Sequence, residues 1–123
     1  MYVKIFEGTD FINIPEVDYY YDQIETQNNI EDFSIQVLFT PGHTWGSVCL
    51  LIENCLFSGD TLFNEKIGRI DLPGGDEQSL KKSLKTIAKL PKHICIYPGH
   101  GTTSTIKNEL KYNKTFIQAL EWA

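Results

Sequence analysis

Between Phe33 and Ser58 three apolar runs follow one another with almost no chain between them. Phe33 to Thr40 sets Phe33, Ile35, Val37 and Phe39 at alternate positions, the period of two that a pleated strand imposes. After Pro41-Gly42, Ser47 to Glu53 is a short, nearly continuous apolar run, as in a strand covered on both faces. Asn54 makes a turn, and Cys55 to Ser58 begins a third strand. Strands this closely connected leave no room for a crossover helix, so the last two are expected to pair as an antiparallel hairpin.

The flanks add the remaining elements. The first six residues read as a short strand, and Gly8 to Asp32 as loop, with Pro15, Tyr19-Tyr20-Tyr21 and Asn28-Asn29 along it. Gly59 to Gly75 is a Gly-rich loop, and Asp76 suits the N-cap of a helix. In that helix Leu80, Leu84, Ile87 and Ala88 form one apolar stripe, while Lys81, Lys82, Lys85 and Lys89 make a solvated face. Pro91 stops it. His93 to Tyr97 is another strand, and a last helix runs from about Asn108 to Trp122, with Leu110, Phe116, Ile117 and Leu120 inward. The order β-β-β-α-β-α is an α/β arrangement in which helices cover a sheet, one domain over residues 1–123.

Charge and composition exclude several classes of partner. A formal net charge of −5 offers no basic surface for nucleic acid or anionic lipid. No apolar stretch approaches the roughly 18 to 20 residues of a membrane span. Met1 to Glu7 carries no secretory leader pattern, so a cytoplasmic location is expected. The three cysteines, Cys49, Cys55 and Cys95, are odd in number, lack C-x-x-C spacing and sit in strand-like settings. They are expected to be buried, inert thiols.

Three segments share one plan: an apolar strand delivers a loop that carries a single metal-ligand side chain. They are Thr40-Pro41-Gly42-His43-Thr44-Trp45-Gly46-Ser47, Leu56-Phe57-Ser58-Gly59-Asp60-Thr61-Leu62-Phe63 and Ile94-Cys95-Ile96-Tyr97-Pro98-Gly99-His100-Gly101. Glycine lets the chain turn sharply at the strand end, and proline stiffens the approach. Imidazole and carboxylate suit zinc, and accept iron or manganese. One Pro-Gly-His is weak evidence; two of them with a Ser-Gly-Asp-Thr loop are much stronger. His93, with no glycine beside it, is expected to be structural or exposed. Ser47 and Ser58 have no base nearby in sequence, and the nucleophile pattern G-x-S-x-G is absent.

Together with Gly68-Arg69-Ile70-Asp71-Leu72-Pro73-Gly74-Gly75, these blocks match in order and spacing the second half of metallo-β-lactamase-superfamily hydrolases, which the chain resembles from about Phe33 onward. It looks closest to the glyoxalase II-like, hydroxyacylglutathione-hydrolase-like members. The resemblance implies half of an αββα sandwich: one mixed, largely antiparallel sheet with helices on one face. It implies that His43 completes one metal site and His100 a second, with Asp60 bridging both ions and serving as the catalytic carboxylate. Arg69 is a candidate substrate contact, with a salt bridge to Asp71 as the alternative. The implied activity is thioester or ester hydrolysis by metal-bound hydroxide, with two zinc ions in the complete site.

The family's His-x-His-x-Asp-His motif is absent. In the family it supplies two ligands to each ion and lies upstream of where this chain begins. Metal binding by the chain alone is therefore expected to be weak or nil. The sheet face that would meet the other half should be bare, including residues among Phe33, Ile35, Val37, Val48, Leu50 and Ile52. A homodimer through that face, or association with a missing N-terminal half, is the expected remedy. A non-catalytic remnant or an interaction module are the competing readings.

Overall fold

The structure, a computed structural model, describes residues 27–30 and 33–121. Its elements are β1 (Gln27–Ile30), β2 (Phe33–Phe39), β3 (Val48–Ile52), β4 (Cys55–Gly59), β5 (Leu62–Phe63), β6 (Lys66–Ile67), α1 (Glu77–Ala88), β7 (Cys95–Pro98), β8 (Ser104–Thr105), α2 (Ile106–Tyr112) and α3 (Lys114–Glu121). Six strands form one sheet in the order β1-β2-β3-β4-β7-β8, and β5 and β6 form a small hairpin. Every neighbouring pair is antiparallel except β4 and β7, which run parallel. This is the mixed, largely antiparallel α/β sheet expected from the sequence.

Register decides which side chains share a face. Ile35 pairs with Ile52, Val37 with Leu50, Leu50 with Phe57, and Phe57 with Tyr97. Leu38, Cys49, Leu51, Leu56 and Ile96 therefore project to the opposite face, where they pack with Leu80, Leu84, Ile87, Ile106 and Phe116. Burial of Leu80, Leu84 and Ile87 contributes about 1.5 to 3 kcal/mol each. The Glu77–Lys81 pair on the same helix contributes about 0.3 to 0.5 kcal/mol. Packing, far more than surface pairing, holds α1 in place. Asp76 caps it, accepting from the Ser79 backbone N–H at 2.8 Å.

The face away from the helices is apolar and partly exposed. Phe39, Phe57 and Tyr97 are 57%, 42% and 40% exposed, although Val37 on the same face is buried. Phe57 and Tyr97 stack with ring centroids 5.4 Å apart. Phe33 has no described side chain, so its place on that face is open.

Several sequence expectations change. The strand expected over the first six residues lies outside the described residues, as does Trp122. Gln27–Ile30, expected as loop, is a strand because the edge of β2 offers it hydrogen-bond partners, and such pairing overrides the poor strand preference of Asn28 and Asn29. The β5–β6 hairpin and β8 were hidden by their two-residue length. The single C-terminal helix is two, broken at Asn113, whose side-chain oxygen accepts from the Phe116 N–H at 3.0 Å and starts α3. Lys81 is not a fully solvated lysine: its side chain is 13% exposed and pairs with Glu77 at 3.2 Å. Cys49 is buried as expected, but Cys55 and Cys95 are only half-buried. His93 is exposed, beside Asn54 at 3.3 Å. Among the described residues, no helix is long and apolar enough to cross a membrane.

Candidate metal centre

The loops that leave β2, β4 and β7 meet at one end of the sheet. Asp60 follows the last residue of β4, and His100 lies two residues beyond β7. His43 is carried by the loop between β2 and β3. That loop is tied to α1 twice: the Asp76 N–H donates to the Gly42 carbonyl at 2.7 Å, and Ser83 Oγ donates to the Pro41 carbonyl at 2.7 Å. Within it Thr44 and Ser47 hydroxyls lie 2.7 Å apart, and the Thr44 N–H donates to Ser47 Oγ at 3.1 Å. These bonds brace the loop.

Asp60 stands between the two histidines. Its Oδ2 lies 3.6 Å from His43 Nε2, and its Oδ1 lies 3.5 Å from His100 Nε2. The His43 ring is held from behind, its Nδ1 lying 2.8 Å from the Arg69 carbonyl oxygen. A carbonyl only accepts, so Nδ1 donates to it, and Nε2 is the nitrogen left facing the carboxylate. This backbone contact is the arrangement that orients a metal-binding histidine. His43 is 17% exposed and His100 80%, so one ring is fixed in the protein and the other faces solvent.

Two glycines let these parts approach. A Cβ on Gly68 would stand 2.1 Å from the Asp60 carbonyl oxygen and 3.4 Å from His43 Cβ. A Cβ on Gly99 would stand 2.9 Å from Asp60 Oδ1 and 3.1 Å from the Gly59 carbonyl oxygen. At Gly68 only bare backbone fits, whereas at Gly99 a methyl would require the Asp60 carboxylate and the Gly59 carbonyl to give way. Behind Asp60 lies a buried group of small polar side chains: Thr40 Oγ1 is 3.3 Å from Cys49 Sγ and 3.5 Å from Thr61 Oγ1. Burial pushes the Cys49 thiol up, against the hydrogen bonds from Thr40 and Thr61. Ser58, also buried, donates to the Leu62 carbonyl at 2.7 Å.

The donor set fits a shared-carboxylate site only in part. Among the described residues no group of three or more His, Cys, Asp or Glu side chains is arranged to hold one ion. His43 and His100 address different oxygens of Asp60, so the three converge on the carboxylate and not on a common point. They offer one imidazole on each side plus the carboxylate, fewer ligands than a closed zinc shell requires.

Arg69, the candidate substrate contact, is engaged otherwise. Its Nε and Nη2 donate to both oxygens of Asp71 at 2.7 and 2.6 Å. The guanidinium holds the Asp71 carboxyl down to about 2, chiefly through that hydrogen bond. Both side chains are well exposed, so the pair braces its own loop.

Sequence reasoning missed the residues that hold the His100 side of the site. The Asn64 side-chain amide donates to Thr102 Oγ1 at 2.9 Å and to the Thr103 carbonyl at 3.3 Å, tying the β5–β6 turn to the loop after His100. Glu109, fully buried, accepts from the Glu65 N–H at 2.7 Å, from Asn113 Nδ2 at 2.9 Å and from Ser104 Oγ. A charged residue in a helix carries no sequence mark of burial; its spacing four before Asn113 was the only available signal. Phe63 lies beside the His100 ring, centroids 6.3 Å apart. Between the hairpin and His100 opens a recess of about 590 Å³, lined by Phe63, Asn64, Glu65, Lys66, Gly101 and Thr102.

Known proteins share these features. A probable metallo-hydrolase of Methanocaldococcus jannaschii is 35% identical over 96 residues, covering 76% of this chain and 46% of the relative. A probable polyketide biosynthesis zinc-dependent hydrolase of Bacillus velezensis is 32% identical over 107 residues, covering 80% of this chain and 48% of that protein. The crystal structure of TTHA1623 in a di-iron-bound form superposes with a TM-score of 0.69 at 36% identity, covering 83% of this chain and 52% of that one. The chain thus spans about half the length of the curated relatives it matches. The profile of the Metallo-beta-lactamase superfamily matches residues 12–100, most of the chain, and it is to this superfamily that the chain belongs.

Proposed function

We propose that the chain supplies one half of a dinuclear metallo-hydrolase centre of the glyoxalase II-like type, acting on thioesters or esters. One observation carries the reading: the two oxygens of Asp60 are each turned to a different histidine, His43 on one side and His100 on the other. A carboxylate so placed suits a bridge between two cations, with His43 a ligand of the first and His100 of the second. Bound there, such ions lower the pKa of coordinated water to about 7 and polarise a carbonyl. Zinc is the proposed metal, since one relative is described as zinc-dependent, and iron is the other choice, since a similar structure holds two irons. His43 is pre-oriented by the Arg69 carbonyl, and the recess beside Phe63 and Lys66 offers space for the substrate.

The remaining ligands must come from a complementary segment such as the relatives' other half provides. We place the chain in the cytoplasm, a compartment that suits its free cysteines. The test is hydrolysis of a chromogenic thioester with added zinc, by the chain alone and by the chain with the N-terminal half of a relative. Activity only in the mixture, lost in Asp60→Ala, supports the reading. Mixture activity that survives Asp60→Ala sinks it.

The open sheet face favours a second reading, a homodimer without catalysis. Phe39, Phe57 and Tyr97 lie exposed on it, and its paired positions from β2 to β7 carry no charge. Two such faces can pack sheet on sheet about a two-fold axis. Light scattering decides it: a folded monomer at micromolar concentration ends this alternative.

A further inference from the structure

Cys55 and Cys95 are direct partners across the parallel pair β4 and β7. Neighbouring strands run about 4.8 Å apart. That lies within the roughly 4.4 to 6.8 Å between Cα atoms that a disulfide spans. The two residues also share a face, the open one, because Phe57 and Tyr97, two positions further along each strand, are paired and stacked on it. Both thiols are half-buried and free. Cys95 and Tyr97 line a recess of about 350 Å³ with Thr103, Ser104, Thr105 and Asn108, wide enough to admit a small reagent.

Tyr97, two positions beyond Cys95 on the same face, lies beside both cysteines. Its phenol is pushed up, chiefly by the neighbouring Cys55 and Cys95 side chains. Both thiols therefore lie within electrostatic reach of one hydroxyl. Cys49 serves as an internal control: it projects to the helix-covered face, is fully buried and contacts Thr40 and the Ser58 carbonyl.

We propose that Cys55 and Cys95 form a reversible disulfide across β4 and β7 while the sheet face is open, making this pair a thiol-oxidation site at the start of the two strands that lead to Asp60 and His100. The oxidant is a low-molecular-weight disulfide. One cysteine thiolate attacks it, forms a mixed disulfide and releases one small thiol. The neighbouring thiolate then attacks the protein-bound sulfur and expels the second. Two protein thiols lose two protons and two electrons, which reduce the reagent to two thiols. Each cysteine sits five residues before a site residue, Asp60 after β4 and His100 after β7, so the bond clamps the two strands that deliver them. A second sheet packed on this face shields both sulfurs, so the disulfide marks the uncovered chain. The inference does not rest on the metal reading.

The test treats the folded full chain, at low micromolar concentration, with bis(2-hydroxyethyl) disulfide, followed by alkylation and peptide mapping by mass spectrometry. The expected product has lost two hydrogens, links the Cys55 and Cys95 peptides within one chain, leaves Cys49 for alkylation after unfolding, and reverts with dithiothreitol. Cys55→Ser and Cys95→Ser should each stop at a mixed disulfide on the remaining partner. Stable mixed disulfides at both positions of the unaltered chain, a link between two chains, or no reaction at either cysteine overturns the proposal.

Discussion

The Asp60 carboxylate and the His43 ring face each other across 3.6 Å, and the far side of that ring is pinned 2.8 Å from the Arg69 carbonyl. The ring cannot turn its Nε2 away without losing that backbone hydrogen bond. Among the described residues, Asp60 is the group that reaches both histidines, so it is the place where the site is most easily broken.

Metal binding should follow from this. The isolated chain should hold no ion after extensive dialysis, because each side of Asp60 offers one imidazole only. Residual zinc affinity, read by competition with a chromogenic chelator, should fall in Asp60→Asn by more than the roughly tenfold that loss of an outer-shell partner costs. Two tightly held ions per chain, or an unchanged affinity in Asp60→Asn, would contradict the assignment.

The glycines should separate stability from site geometry. Gly99→Ala brings a methyl to 2.9 Å from the tip of Asp60, which can swing, and to 3.1 Å from the Gly59 carbonyl, so it should cost about 1 kcal/mol in a urea melt, less than Gly68→Ala, yet weaken metal binding. Gly68→Ala meets backbone at 2.1 Å, where nothing can swing aside. It should destabilise by about 2 to 3 kcal/mol or prevent folding. Equal effects of the two substitutions on stability would count against this packing.

Glu109 should matter far more than an ordinary helix glutamate. Glu109→Ala strands the donors of Glu65, Ser104 and Asn113, and a loss on the order of 3 kcal/mol is expected. Glu109→Gln keeps the shape and one acceptor, and should recover part of that loss. Chemical denaturation checks both; a change in Glu109→Ala below about 0.5 kcal/mol, the range of ordinary surface sites, refutes the network.

The Asp71 carboxyl should titrate low. Its folded value of about 2 lies below the usual 3.8, so the unfolded chain binds more protons between those values. The pair's contribution to stability is then complete above about pH 4 and is lost as pH falls toward 2. In Arg69→Leu the Asp71 midpoint, followed by carboxyl NMR, should rise toward the ordinary range. An unmoved midpoint would mean the guanidinium is not the cause.

Much of this was legible in the sequence. The alternation from Phe33 to Phe39, the Asn54 turn, the Asp76 cap and the stripe Leu80, Leu84, Ile87 each obey local rules, and local rules act without knowledge of the rest of the chain. His43, Asp60 and His100 were marked as candidates because each is turned off a strand end by glycine. The break at Asn113 was missed because its capping oxygen competes with an apolar stripe that runs on through it.

Other features belong to tertiary structure alone. Sequence could not say that β4 and β7, forty residues apart at Cys55 and Cys95, would lie side by side, because parallel pairing depends on how α1 packs between them. That pairing sets Asp60 beside His100 and one free thiol beside another. Nor could sequence show Glu109 buried, since its three donors come from a hairpin turn, a strand and a helix end. The chain's pattern specified its strands, its first helix and the side chains that carry chemistry. Their distances were decided only when the helices closed on one face of the sheet, because burial and long-range pairing depend on the whole packed arrangement.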